Sequence, residues 1–148
     1  MKAHILISII LLAPLFLLGE NASEQLRKSE SKITIQTDTE IIGGTWAHQK
    51  GANVLPLVIM ISGSGPQDRD CDIYGFKIFG TLADHLIDQG IPSFRYDDRG
   101  VGKSTGDFAN STIDDLAEDV EEIMGYFQRN GYREFILLGH SQGGIIAG

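Results

Sequence analysis

The stretch that most constrains this chain is Phe135-Ile136-Leu137-Leu138-Gly139-His140-Ser141-Gln142-Gly143-Gly144. It reads as a short apolar strand, a tight turn with one serine at its tip, and the start of a helix. Gly139, Ser141 and Gly143 spell G-x-S-x-G. In so sharp a strand-to-helix turn, the residues two before and two after the serine nearly touch, so neither can carry a large side chain. The serine itself is expected in a strained backbone conformation, which persists only where the surroundings enforce it. Its hydroxyl then stands clear of the sheet, and the following helix aims its first amides at the same point.

The segments before it alternate between two periods. Residues 32–39 alternate apolar and polar, with Ile33 and Ile35 on one face, which predicts a half-buried strand. Residues 41–48 predict a second strand, antiparallel to the first because the connection is short, with Gly43-Gly44 as a bulge. Residues 49–53 have turn composition. The nearly continuous apolar run at 55–61 suits a central strand buried on both faces. Residues 76–89 carry helical spacing through Phe79, Leu82, Ala83, Leu86 and Ile87, stopped by Gly90. Residues 91–96 predict the next strand. Residues 111–130 predict the clearest helix, capped by Thr112 with Asp115 and carrying a core stripe that includes Ile113, Leu116, Val120, Ile123 and Phe127. Strands alternating with helices after an initial antiparallel pair predict an α/β fold with right-handed crossovers. Loops at the carboxyl ends of the strands, where Ser64 and Ser141 fall, should then converge.

Three motifs together carry a resemblance. G-x-S-x-G is joined by the Gly-rich exit of the 55–61 strand, Ser62-Gly63-Ser64-Gly65-Pro66, and by Asp97-Asp98-Arg99-Gly100-Val101-Gly102-Lys103-Ser104, a D-x-R-G-x-G-x-S loop. The chain from about Lys32 onward resembles the α/β-hydrolase family of serine esterases, lipases and peptidases, with Gly63 to Arg69 similar to its acyl-peptidase-like esterases. The resemblance implies the α/β-hydrolase fold: a mostly parallel sheet, an antiparallel pair of amino-terminal strands, and truncation after the nucleophile elbow. It implies a serine hydrolase of carboxylic esters working through an acyl-enzyme. Ser141 would be the nucleophile, Gly139, His140 and Gly143 would shape the elbow, and the amides of Ser64 and Gln142 would form the oxyanion hole. Ser62 stands where related loops often begin with His. No cofactor or metal is implied, and the expected partner is a small-molecule ester or acyl substrate. Peptidase, acyltransferase and a non-catalytic binding domain share the fold and stay open.

Two rival motifs fail. A phosphate-binding loop ending in Gly102-Lys103-Ser104 needs a glycine where Asp97 stands. A calcium loop through Asp68, Asp70 and Asp72 needs glycine at Ile73 and glutamate at Phe79. The net charge of −8 argues against nucleic acid or an anionic membrane surface as partner. The single cysteine, Cys71, cannot form an internal disulfide and reads as a loop or half-buried residue. His48 and His85 read as a strand residue and a solvated helix residue.

Domain organisation follows from composition. Residues 1–22 hold Lys2 and His4 before an apolar run at 5–18, which reads as a signal peptide or an uncleaved amino-terminal anchor. Export to a secreted or periplasmic location is expected. Residues 23–31 read as a linker, and 32–148 as the amino-terminal portion of one domain. In the family the triad runs Ser, then Asp or Glu, then His. All four histidines precede Ser141, and the residues after it include no acid or histidine. The sequence therefore reads as a fragment lacking the triad acid and base.

Overall fold

A computed structural model describes residues 28–50 and 55–148. The apolar run at 5–18 and most of the turn expected at 49–53 lie outside them. Five strands form the main sheet in the order β1-β2-β6-β3-β7. β1 (Lys28–Gln36) and β2 (Ile41–Gln49) are antiparallel, and β2 is antiparallel to β6 (Ser93–Tyr96). β3 (Leu57–Ile61) runs parallel to β6 on one side and to β7 (Phe135–Gly139) on the other.

The two parallel pairings require crossovers, and the two long helices supply them. α1 (Ile78–Asp88) links β3 to β6, and α2 (Ile113–Arg129) links β6 to β7. They cover opposite faces of the sheet because β3 is apolar at every position and its side chains alternate between faces. Val58 and Met60 pack on one side with Phe79 and Ala83 of α1 and with Cys71. Leu57, Ile59 and Ile61 pack on the other with Val120, Ile123 and Phe127 of α2, joined by Phe94 and Tyr132. α2 begins at a reciprocal cap: Thr112 Oγ1 accepts from the Asp115 amide, and the Asp115 carboxylate accepts from the Thr112 amide.

The structure departs from the sequence reading at several elements. β1 starts at Lys28, so residues 28–31, read as linker, pair with residues 46–49 of β2. Distant partners hold this end, Glu30 with Arg95 and Lys28 with Asp88, and local alternation carries no trace of them. Gly43-Gly44 forms no bulge, since the β1–β2 register is unbroken. A Cβ on Gly44 would stand 2.1 Å from the Phe94 ring, so close packing, not an extra residue, accounts for this glycine. Residues 76–77, expected to open the helix, instead form β5 (Phe76–Lys77), paired with β4 (Asp72–Ile73) in a small hairpin. Tyr74 and Gly75 make its turn, both at positive φ (55° and 86°). Ile113, expected in the core stripe, is 41% exposed at the first turn of α2. Cys71 lies in the loop before β4, as one of its two expected placements had it, but is fully buried, with its Sγ 2.9 Å from Gln67 Oε1.

Candidate active site

β7 ends at Gly139 and α3 (Gln142–Ile146) starts one residue after Ser141. Ser141 has φ 53° and ψ −115°, a left-handed conformation that costs a non-glycine residue about 1–3 kcal/mol. Contacts on both sides leave the chain little alternative. A Cβ on Gly139 would lie 2.2 Å from the Gly143 carbonyl oxygen. A Cβ on Gly143 would lie 2.3 Å from the Ile61 carbonyl oxygen and 2.4 Å from that of Ser62. The bend is pinned to the end of β3 by the His140 amide, which donates to Ile61 O at 2.9 Å. Ser141 is exposed at its tip.

The Gly-Ser-Gly segment after β3 lies against this bend. A Cβ on Gly63 would sit 3.3 Å from Ser141 Cβ and 3.0 Å from His140 Nδ1. The structure thus brings together Gly63, His140 and Ser141 from loops far apart in sequence. Ser64, the next residue, is exposed. Among the described residues, neither the Ser64 amide nor the Gln142 amide donates to a protein acceptor. His48 and His85 stand apart from Ser141. The His48 ring stacks on Trp46 at 3.8 Å within β2, and His85 Nδ1 contacts the Thr81 carbonyl within α1 at 2.8 Å.

Behind the segment lies a set of buried carboxylates at the end of β6 and on α2. Asp97 accepts from Arg69 Nε at 2.9 Å and from the amides of Arg69 and Lys103. Burial alone would raise its pKa; these donors more than offset that and hold it below the ordinary value. Asp119 on α2 is paired with Arg99, Nε to Oδ2 at 2.7 Å and Nη2 to Oδ1 at 3.0 Å. Asp98 has no cationic partner among the described residues. Burial pushes its carboxyl up to about 6, and the Asp119 and Asp97 charges add to this, against the lowering effect of Ser62 and Gln67. These three donors and acceptors, Asp98, Ser62 and Gln67, were not singled out by the sequence reading as a unit. The available signal was the doubled aspartate of the Asp97-Asp98-Arg99-Gly100 loop and a hydroxyl at Ser62. A cavity of about 10 Å³ remains between Gly63, Asp98, Asp119 and Ile146, small even for one water.

Comparison with known proteins bears on the fold. Residues 76–148 match the family model described as serine aminopeptidase, S33. Esterase EstD of Thermotoga maritima is 33% identical over 101 residues, covering 66% of this chain and 24% of the esterase. Protein phosphatase methylesterase 1 of Candida albicans is 37% identical over 71 residues, covering 46% of this chain and 19% of that protein. The chain therefore spans a quarter or less of these curated relatives. Among solved structures, Est1E from Butyrivibrio proteoclasticus, with ferulic acid bound, superposes with TM-score 0.62 at 22% identity, over 77% of this chain and 44% of that one. The Pyrococcus furiosus esterase Pf2001 superposes with TM-score 0.62 at 21% identity, over 85% and 47%. The sheet order, the two crossover helices and the superpositions agree: the chain has the α/β-hydrolase fold, and its carboxyl-terminal half matches a serine hydrolase family model.

Proposed function

We propose that this chain supplies the nucleophile and the oxyanion hole of a serine hydrolase acting on carboxylic esters. The observation that carries the reading is the exposed Ser141, held at φ 53° on a glycine-locked bend beside Gly63. Ser141 Oγ attacks the acyl carbon, the alcohol leaves, and water later splits the acyl-enzyme. The negative charge that develops on the acyl oxygen is met by the uncommitted amides of Ser64 and Gln142. The Oγ proton needs a histidine, held by a carboxylate. In the order Ser, acid, His, neither partner is among these 148 residues. His140 is excluded as base because its ring faces Gly63 from the elbow itself.

The esterase names of the relatives favour an ester over a peptide bond. A peptidase is the second reading, favoured by the aminopeptidase description of the matching family model. The apolar run at 5–18 supports export, tested by sequencing the amino terminus of the mature protein. The deciding experiment treats the full-length protein that carries these residues with a fluorophosphonate. The label is expected on Ser141, and Ser141→Ala should abolish both labelling and ester turnover. Turnover that survives Ser141→Ala rejects the reading. The 148-residue polypeptide alone should turn over esters at the background rate, since loss of a triad base costs on the order of a million-fold.

A further inference from the structure

We propose that Asp98 is a positioning residue: its carboxylate ties together both ends of the 62–67 loop and so sets where the Ser64 amide stands relative to Ser141. The role rests on the hydrolase reading above; the geometry does not. Ser62 Oγ lies 2.8 Å from each carboxylate oxygen of Asp98, and the Gln67 amide donates to Oδ2 at 2.8 Å. The Asp98 amide in turn donates to the Gln67 carbonyl at 3.0 Å. The four residues between, Gly63 to Pro66, are bracketed by one side chain. On its other wall the loop meets the elbow, with Gly63 against His140 and Ser141. Asp98 therefore fixes the loop from behind while the elbow limits it in front.

The charge environment argues that the carboxylate is there for the loop. Asp97, Asp98 and Asp119 are all buried, at 3%, 5% and 6% exposure. Asp97 has Arg69 and Asp119 has Arg99. Among the described residues Asp98 makes no ion pair: Tyr96 and Asp97 approach it from β6 and its exit, Arg99 beside it is committed to Asp119 of α2, the Cys71 thiol comes from the loop before β4, and apolar Ile146 from α3. A buried carboxylate without a paired cation is costly unless hydrogen-bonded, and among the described residues its donors come from this loop. These bonds are strongest to the ionised form.

The test uses the full-length protein and two readouts. In amide NMR, the Gly63, Ser64 and Gln67 resonances should share a titration with a midpoint near pH 6, the value burial gives Asp98. The titration should vanish in Asp98→Asn and persist in His140→Gln, which separates Asp98 from the histidine facing Gly63. Phosphonylation of Ser141 at pH 8 should slow about 10- to 100-fold in Asp98→Asn, short of full loss of an oxyanion donor, because the amide is displaced and not removed. Ser62→Ala, which keeps the Gln67 bond, should slow it less and serves if Asp98→Asn does not fold. Labelling of the wild type with rates unchanged in the folded variants overturns the positioning role alone. No labelling of the wild type overturns the hydrolase reading, and the role with it.

Discussion

Gly143 and Gly144 are neighbours in sequence, yet alanine should act on them with opposite sign. At Gly143 the new methyl carbon would stand 2.3 Å from Ile61 O and 2.4 Å from Ser62 O. An ordinary carbon–oxygen contact is about 3.4 Å, so roughly 1 Å must be found, and both obstacles are backbone, which cannot rotate away. Overpacking of this kind costs typically about 1–3 kcal/mol, and rigid opposing backbone puts Gly143→Ala at or above the top of that range. At Gly144 the nearest atom to a new Cβ is the Gly139 carbonyl oxygen, 4.0 Å away, an ordinary contact. There alanine meets no obstacle and gains helix propensity, worth at most about 1 kcal/mol and less in a helix as short as α3. The two variants should therefore differ by about 3 kcal/mol. At about 4 °C per kcal/mol for a domain of this size, their melting temperatures should be about 12 °C apart. Urea melts with a common m-value would confirm that the native state, not the unfolded one, is affected. Midpoints within about 2 °C of each other would refute the steric account of the bend.

The remaining predictions concern the carboxylates. Arg99→Ala strands Asp119 at 6% exposure and should cost about 3–5 kcal/mol in urea unfolding, with partial recovery on adding Asp119→Asn; a loss under 1 kcal/mol would contradict the pairing. Asp98 has its folded-state pKa raised from 3.8 to about 6, so between those values the native state binds more protons than the unfolded chain. Its contribution to stability is therefore present at low pH and lost as pH rises through about 4 to 6. Subtracting wild-type from Asp98→Asn stability removes the other carboxylates, and the difference should grow by about 3 kcal/mol across that window. A flat difference would show that Asp98 titrates normally.

What the sequence discloses and what it hides divide along a physical line. The elbow is readable because its constraint is local: the chain reverses within five residues, so contact between Gly139 and Gly143 follows from spacing alone. The Thr112–Asp115 cap and the continuous apolar run of β3 are readable for the same reason. The insertion of β3 between β6 and β7 is less so, because strand neighbours are chosen by long-range packing. Side-chain pairing is least readable of all. Asp97 and Asp98 are adjacent and identical, yet one is held below the ordinary carboxylate value and the other raised to about 6. The difference comes from which face each presents. Asp97 turns to Arg69, 28 residues earlier, and Asp98 to the hydroxyl of Ser62 and the amide of Gln67. A motif search sees D-D-R-G as one loop. The folded chain splits it into a neutralised brace, a charge set against the loop beside Ser141, and, through Arg99, a tie to α2. Those three tasks cannot be interchanged, because each depends on the face of the chain from which its aspartate or arginine projects. Swapping Asp98 with Asp97's partner set would leave a cation where the loop needs acceptors.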